Sequence, residues 1–455
     1  MAIESVNPAT GETIATYEEM GEGEVGGILE AAWAAQREWR EVPVAERAAM
    51  LRRAAADLRD GAQRYGELMA REMGKPIAAG RSEAEKCAWV CDYYAENAPG
   101  FLADREVATD ARRSFVTFRP LGVVLAVMPW NFPFWQVFRF AAPGLAAGNA
   151  AVLKHASNVF GCALAIEEVF RRAGFPEALF RALLVGSGAV DGILEHPRLA
   201  AATLTGSTGA GRAVAAKAGG ELKKTVLELG GSDPYVVLAD ADLDAAVETC
   251  VESRLINSGQ SCIAAKRFVV VGEVAGEFTR RFVERMAAKR MGDPLDEAND
   301  LGPQARRDLR DDLHDQVRRS IDRGARCLLG GEVPDGPGAF YPPTVLAGVG
   351  PGMPAYEEEL FGPVAAVIEV ADEEEAIRVA NDSPFGLGAA VFTRDLARGE
   401  EIAARRLEAG CCFVNALVKS DPRLPFGGVK DSGYGRELSD FGIREFVNVK
   451  TVWVA

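Results

Sequence analysis

Several kinds of residue and pattern are scarce in this 455-residue chain, and each scarcity argues against a class of protein. The three histidines, His155, His196 and His314, lie far apart without the spacing of metal ligands, so we expect no metal site. The eight cysteines include no Cys-x-x-Cys pair, and the chain starts with no basic and apolar leader. Both features predict reduced thiols in the cytoplasm. The longest apolar run, 121–128, is far shorter than the ~20 residues of a membrane span.

Basic residues are also fewer than acidic residues. Lys and Arg number 51 against 66 Asp and Glu, which gives a formal charge of −15 with no basic block. Such a chain is a poor partner for nucleic acid or an anionic membrane. The apolar share of 48% and the charged share of 26% are ordinary for a globular protein, so disorder and fibrous repeats are excluded. At ~100–200 residues per domain, the length predicts two or three domains.

Strand and helix patterns alternate from residue 121 onward. The continuous apolar run 121–128 predicts a strand that is buried on both faces. Helical patterns separate several of the later strands, and this alternation predicts an α/β fold with largely parallel sheets. The C-terminal tail, 446–454, alternates like a strand that pairs either with its own chain or with a second subunit. Further strands are predicted at 151–153, 182–185, 202–205, 225–228, 235–238, 267–271, 365–370 and 412–414.

Two residues could supply nucleophilic and acid–base chemistry. Cys262 follows Gly259-Gln260 on a predicted loop, where a thiol can meet a ligand, although a cysteine is more often buried and inert. A free thiol has a pKa near ~8.5, so a nucleophilic cysteine needs a base or a positive environment. Glu228 ends an apolar strand before two glycines. A buried glutamate is costly unless it is paired or used, and burial raises its pKa toward that of a general base.

Two further segments could bind ligands at the ends of strands. Asn131, in Pro129-Trp130-Asn131, follows the strand 121–128, and ligands bind outside the carboxyl ends of parallel strands. Its amide could donate to a developing oxyanion, or the residue could serve only a structural turn. The turn Gly206-Ser207-Thr208 leads into a helix, whose N-terminus can receive a pyrophosphate, although the segment is not the dinucleotide-binding fingerprint.

Six motifs in this order resemble those of the aldehyde dehydrogenase superfamily, and the resemblance runs essentially end to end. Within the superfamily the chain is similar to the succinate-semialdehyde dehydrogenase group, with Leu153-Lys154-His155-Ala156 in place of the commoner Lys-Pro-Ala. The motifs are Pro129-Trp130-Asn131, Gly206-Ser207-Thr208, Leu227-Glu228-Leu229-Gly230-Gly231, Gly259-Gln260-x-Cys262, Glu359-Leu360-Phe361-Gly362-Pro363 and Pro425-Phe426-Gly427-Gly428-x-Lys430-x-Ser432-Gly433.

The resemblance implies an aldehyde dehydrogenase-like α/β fold with three parts. A Rossmann-type cofactor domain would comprise residues 1–102 and 121–230. An α/β catalytic domain would comprise residues 231–433. A small β arm, 103–120 and 434–455, would join subunits into a homodimer or homotetramer.

The resemblance also implies the chemistry. Cys262 would attack the aldehyde, Asn131 and the backbone N–H of Cys262 would hold the oxyanion, and hydride would leave to the cofactor. The resulting thioester would be hydrolysed by water that Glu228 activates. The expected reaction is the oxidation of succinate semialdehyde to succinate.

The residues that the resemblance assigns to the cofactor indicate that NADP is the preferred cofactor and NAD a possible one. We expect no metal cofactor. Many NAD-using relatives carry a glutamate where this chain has Ser157. A carboxylate would repel a 2′-phosphate, whereas a serine can donate to it with Lys154 nearby. The implied cofactor-binding residues are Trp130, Lys154, Ser157, Gly206, Ser207, Glu359 and Phe361.

Arg139 and Ser420 are the candidate substrate-binding residues. Arg139, among aromatic residues, is expected either to clamp a substrate carboxylate, as in similar enzymes, or to form a structural salt bridge. Ser420 could add a hydroxyl donor. Ile256 stands where some such enzymes carry an arginine, which weakens the carboxylate assignment.

Two alternatives remain open. The first is a CoA-acylating semialdehyde dehydrogenase, in which CoA takes the acyl group from Cys262. Such relatives generally lack the glutamate found at position 228, which favours hydrolysis. The second is a non-catalytic structural relative, like the lens crystallins built on this fold, but this chain keeps the nucleophile and cofactor residues that such proteins often lose.

Overall fold

A computed structural model describes residues 2–455 of the chain. Helices and strands alternate along most of it. The strands are Ala2–Val6 (β1), Thr13–Glu18 (β2), Arg105–Glu106 (β3), Arg113–Pro120 (β4), Val123–Met128 (β5), Ala150–His155 (β6), Phe180–Ala182 (β7), Leu199–Thr205 (β8), Lys224–Glu228 (β9), Pro234–Val237 (β10), Arg267–Val271 (β11), Arg326–Leu329 (β12), Thr344–Ala347 (β13), Val364–Val370 (β14), Phe385–Gly386 (β15), Gly388–Phe392 (β16), Cys411–Val414 (β17), Val429–Lys430 (β18), Gly433–Tyr434 (β19) and Val447–Val454 (β20). The helices are Glu22–Trp39 (α1), Val44–Asp60 (α2), Ala62–Met73 (α3), Ile77–Phe101 (α4), Trp135–Ala146 (α5), Phe160–Arg172 (α6), Val190–Glu195 (α7), Thr208–Gly220 (α8), Leu243–Leu255 (α9), Gly272–Ala287 (α10), Arg307–Asp322 (α11), Pro354–Glu357 (α12), Glu373–Asn381 (α13), Leu396–Arg405 (α14) and Ser439–Glu445 (α15).

A six-stranded sheet forms the first layer, in the order β19-β9-β8-β5-β6-β7. Its strands are parallel apart from β19, which pairs with β9 in antiparallel orientation. Helices α1 and α5 pack on β5 and β6, whose residues are almost all buried, as continuous apolar strands require. The carboxyl ends of β5, β8 and β9 therefore meet at one edge of the sheet.

A seven-stranded sheet forms the second layer, in the order β12-β13-β14-β11-β10-β16-β17. It is parallel except for β12. Helices α10 and α13 pack against its central strand β11, and two apolar clusters fill the space on either side. The predicted α/β class with largely parallel sheets is confirmed.

The C-terminal strand β20 pairs with β4 of its own chain. It runs antiparallel to β4, with Val447 opposite Pro120 and Val454 opposite Arg113, and β3 completes a three-stranded sheet. Residues 434–446, which we assigned to the arm, do not belong to this sheet. Instead β19 extends the first sheet and α15 packs on α4 and α5. The division into domains stays a proposal.

No helix within residues 2–455 is both long enough and apolar enough to cross a lipid bilayer.

Candidate active site

Cys262 lies where two cavities meet. One cavity, of about 220 Å³, is lined by Cys262 together with aromatic and apolar residues of α5 and of the loop that follows β17. The other, of about 270 Å³, is lined by Cys262 together with residues that follow β5, β8 and β9. Because the sequence analysis expects the substrate near Arg139 and the cofactor near Gly206, we call them the substrate cavity and the cofactor cavity. Gln136 also contacts both, so the thiol and one amide side chain separate the two spaces.

The loop that carries Cys262 has an unusual backbone. Asn257, Ser258 and Gly259 are all left-handed, with φ values of 53°, 57° and 77°. This conformation costs roughly 1–2 kcal/mol for a residue with a Cβ, so other contacts have to stabilise it. The Arg254 guanidinium donates to the Gly259 carbonyl at 2.7 Å. A Cβ on Gly259 would lie 2.2 Å from the carbonyl carbon of Gly362, so only glycine fits here.

Lys266 joins the cysteine loop to Glu359. Its buried ammonium donates to the carbonyls of Ser261 and Cys262 at 2.7 Å each, and it lies 3.3 Å from Glu359 Oε1. Glu359 Oε1 also accepts a hydrogen bond from the backbone N–H of Gly231 at 3.0 Å. Burial lowers the pKa of Lys266, while the negative charge of Glu359 opposes that effect. The sequence analysis missed Lys266, because the spacing of a lysine four residues after a cysteine does not indicate that the two residues are in contact.

Asn131 is placed beside the cysteine loop. Its Nδ2 donates to the Gln260 carbonyl at 3.0 Å, and its Oδ1 accepts from Gln136 Nε2 at 3.1 Å. A further bond joins Asn257 Nδ2 to the Asn131 carbonyl at 2.7 Å. An amide nitrogen has two hydrogens, so one remains for a ligand. Among residues 2–455, none accepts a hydrogen bond from the backbone N–H of Cys262, so a second donor is available next to the thiol.

Burial raises the pKa of the Cys262 thiol to about 12, although the positive charges of Lys266 and Arg139 favour the thiolate. Desolvation thus outweighs the two cations. The raised pKa favours the protonated thiol, and the proton has to leave before the sulfur can attack a carbonyl carbon.

The Glu228 carboxylate lies outside both cavities. It is buried at the end of β9, and neither of its oxygens has a hydrogen-bond partner. Arg139, Glu437 and Arg436 are its charged neighbours, and its Oε1 packs against Gly427, where a Cβ would come within 2.7 Å. Burial raises the pKa of Glu228 well above its ordinary value, and the negative charge of Glu437 adds to this, against the opposing charge of Arg139.

The cofactor cavity combines a helix N-terminus with two aromatic rings. Gly206 and Ser207 line it, and Ser207 caps α8 by accepting from the N–H of Ala210 at 3.3 Å. The rings of Trp130 and Phe361 meet edge to face with centroids 5.7 Å apart. Backbone donors at a helix N-terminus favour a phosphate.

Lys154 and Ser157 do not line the cofactor cavity. Lys154 is at the carboxyl end of β6 and pairs with Val127 of β5. Trp130 comes just after the end of β5, so Lys154 and Trp130 lie at the same edge of the sheet. Lys154 is buried, burial lowers its pKa, and no carboxylate among residues 2–455 pairs with it. Ser157 starts the short 3-10 turn Ser157–Val159 that follows β6. Both residues therefore sit at the same edge of the sheet as the cavity.

The substrate cavity contains Arg139, Ser420 and a residue that the sequence analysis missed, Lys86. Arg139 is buried, forms an ion pair with Glu437 and lies over the ring of Phe426 at 4.8 Å. This contact matches the salt-bridge alternative, and the carboxylate clamp stays a proposal. Lys86 belongs to α4, where the helical pattern did not reveal which face meets the cavity.

No cluster of three or more His, Cys, Asp or Glu side chains within residues 2–455 is arranged to hold a metal ion.

Comparisons with a family model, with known sequences and with solved structures all match the same kind of protein. A family model described as "Aldehyde dehydrogenase family" matches residues 1–452. The chain is 51% identical over 455 residues to the "Probable succinate-semialdehyde dehydrogenase", NADP(+), of Synechocystis sp., with 100% of both chains covered. It is also 50% identical over 449 residues to the "Succinate semialdehyde dehydrogenase [NAD(P)+] Sad" of Escherichia coli. That alignment covers 99% of this chain and 97% of the relative. The solved structure of succinic semialdehyde dehydrogenase from Streptococcus pyogenes in complex with NADP+ has a TM-score of 0.97 at 38% identity over 99% of each chain.

Proposed function

This chain belongs to the aldehyde dehydrogenase family, and we propose that it oxidises succinate semialdehyde to succinate, with NADP as the preferred hydride acceptor and NAD as a second one. The observation that carries the proposal is the position of Cys262 between two cavities. One cavity offers backbone donors at a helix N-terminus, and the other offers apolar walls with cationic side chains. A thiol between them can reach an aldehyde and a dinucleotide at the same time.

The residues of the cofactor cavity fit a dinucleotide. A Cβ on Gly206 would meet its nearest atom at 3.6 Å, so the backbone is open to a close approach by phosphate. Glu359 would bind the nicotinamide ribose, and Trp130 and Phe361 would pack near the nicotinamide, which supplies the hydride acceptor. Lys154 and Ser157 would hold the adenosine 2′-phosphate, because a buried cation without a carboxylate partner favours an anion.

The first chemical step forms a bond between the Cys262 sulfur and the aldehyde carbon. The thiol transfers its proton to water, the sulfur attacks the carbonyl carbon, and the carbonyl oxygen becomes an oxyanion. The free hydrogen of Asn131 Nδ2 and the Cys262 backbone N–H donate to that oxygen. The same carbon then gives up a hydride, for which the bound dinucleotide would be the acceptor, and a thioester remains on Cys262.

The second step is hydrolysis of the thioester. Glu228 accepts a proton from water, the water oxygen attacks the acyl carbon, and the carbon–sulfur bond breaks to release a carboxylic acid and the thiolate. A carboxylate without hydrogen-bond partners and with a raised pKa is a strong base once ionised. Because Glu228 lies outside both cavities, it acts after a rotation of its side chain or through an intervening water.

An absorbance assay of the reduced cofactor tests the proposal. We expect turnover of succinate semialdehyde without CoA and a kcat/KM that is higher with NADP than with NAD. No reduced cofactor would support the structural-relative alternative, and a strict need for CoA would support the acylating one. A kcat/KM with NAD that exceeds that with NADP by about tenfold, or ~1.4 kcal/mol, would reverse the cofactor assignment.

We also propose a homodimer or homotetramer in the cytoplasm. The sheet of β3, β4 and β20 leaves Val449 and Trp453 60% and 53% exposed, and exposed apolar residues on a sheet favour contact with a second copy. Eight free cysteines agree with a reducing compartment. Light scattering that gives the mass of one chain would contradict the oligomer.

A further inference from the structure

Lys86 is a cation inside the substrate cavity, on the face of α4 that meets α5. Its ammonium donates to Ser420 Oγ at 2.8 Å and lies 4.3 Å from the centre of the Trp135 ring. Ser420 Oγ also accepts from Trp135 Nε1 at 3.1 Å. All three side chains line the cavity that contains Cys262.

The charge of Lys86 has no partner within the protein. Among residues 2–455, no carboxylate oxygen lies within 4.0 Å of its ammonium. Its two acidic neighbours are committed elsewhere, because Glu83 pairs with Lys75 at 2.5 Å and Asp421 pairs with Arg423 at 2.6 Å. Burial and the nearby Arg139 lower the pKa of Lys86 to about 8, which is the effect of a cation that nothing neutralises.

Arg139, in the same cavity, differs in this respect. Glu437 pairs with its guanidinium, and Thr205 Oγ1 accepts from its Nη2 at 3.4 Å. An arginine whose charge is matched attracts an anion less than a free ammonium does. Lys419, at the cavity mouth, is exposed, so water screens its charge.

We propose that Lys86, together with Ser420 and Trp135, forms the subsite that binds the carboxylate of the substrate. The ammonium has two further hydrogens to donate, and Ser420, which only accepts in this structure, has a hydroxyl hydrogen to donate. Ile256 and Phe426 supply apolar walls for the methylene groups. The subsite selects aldehydes that end in a carboxylate. This inference rests on the proposed aldehyde oxidation.

The test compares succinate semialdehyde with butanal, a neutral aldehyde of the same carbon number. For Lys86→Met, we expect the ratio of the two kcat/KM values to fall by about 10- to 100-fold, mainly through the KM for succinate semialdehyde. Inhibition by succinate should weaken to a similar degree. Lys86→Arg, which keeps the charge, should retain more of the ratio than Lys86→Met. Lys289→Met is the matched control, and its ratio should change less than about threefold because Lys289 lies at the surface outside both cavities.

Each result is decisive. If the wild-type enzyme does not prefer succinate semialdehyde to butanal, the proposed substrate is wrong. If it does prefer it but Lys86→Met keeps the ratio, the inference is overturned while the proposed function stands. An Arg139→Met variant that loses the ratio in that case would assign the carboxylate to Arg139. Thermal melting of each variant separates a loss of fold from a loss of selectivity, and Lys86→Gln replaces Lys86→Met if the latter does not fold.

Discussion

The two cavities that meet at Cys262 are lined by different kinds of chemical group. The cofactor cavity presents backbone groups of consecutive residues, Gly206 and Ser207, at the N-terminus of α8. The substrate cavity presents side chains from distant parts of the chain, among them Lys86 of α4, Trp135 of α5 and Ser420 of the loop after β17. The backbone groups of the cofactor cavity come from one short sequence motif. The side chains of the substrate cavity come together only when α4, α5 and the loop after β17 pack against one another.

Cys262 is the element that the two cavities share, so its loss should have the largest effect. For Cys262→Ser we expect kcat/KM to fall by at least about 1000-fold for every aldehyde, because the nucleophile is removed while both binding spaces remain. NADP binding, measured by quenching of tryptophan fluorescence, should persist. Cys412→Ser, on β17 and in neither cavity, is the control and should keep its activity.

Glu228→Gln should separate the two chemical steps. We expect one equivalent of reduced cofactor per site in a rapid burst, followed by turnover that is about 100-fold slower than in the wild type, because the base for hydrolysis is gone. The wild-type rate should fall as pH is lowered through the raised pKa of Glu228, since protonation removes the base, and Glu228→Gln should lose this dependence. Stopped-flow absorbance without a burst would argue against the assigned role.

Ser157→Glu should alter the cofactor side alone. The new carboxylate would repel the 2′-phosphate, so the ratio of kcat/KM with NADP to that with NAD should fall by about tenfold or more. The KM for succinate semialdehyde should stay within about twofold, because Ser157 lies outside the substrate cavity. An unchanged cofactor ratio would remove Ser157 from the site.

Gly259→Ala should disturb the loop that joins the two cavities, and its effect should fall mainly on stability. The methyl group would overlap the Gly362 carbonyl group at 2.2 Å, and φ is 77°. We expect a loss of about 1–3 kcal/mol in the free energy of unfolding, measured by urea denaturation. The control is Gly276→Ala in α10, where no heavy atom lies within 4 Å of the added methyl group. That variant should be neutral or slightly more stable.

The sequence predicted much of the fold because apolar strands follow local rules. The strand predicted at 267–271 has those bounds in the structure, and the strand at 121–128 begins at Val123. The strand predicted at 182–185 was misplaced, since β7 spans Phe180–Ala182. Apolar residues continue beyond its end because they are buried, and burial alone does not distinguish a strand from the loop that follows it.

Several residues that were predicted from contiguous motifs lie together in the structure. Asn131, Gly206, Glu359 and Phe361, which were named from separate motifs, all line one cavity with Cys262. Glu228 does not line it, because its side chain turns toward Gly427. Which way a buried side chain points depends on packing between strands and loops, and no local pattern encodes that direction.

Taken alone, the sequence determined the family and the α/β class, and it named Cys262 and the turn Gly206-Ser207-Thr208 as candidate site residues, because each depends on residues that are neighbours in the chain. Only the tertiary structure decided which cations are free. Glu437 neutralises Arg139, whereas the acidic neighbours of Lys86 pair with Lys75 and Arg423. Electrostatic pairing acts through space between elements that are up to 298 residues apart, as in the ion pair of Arg139 with Glu437.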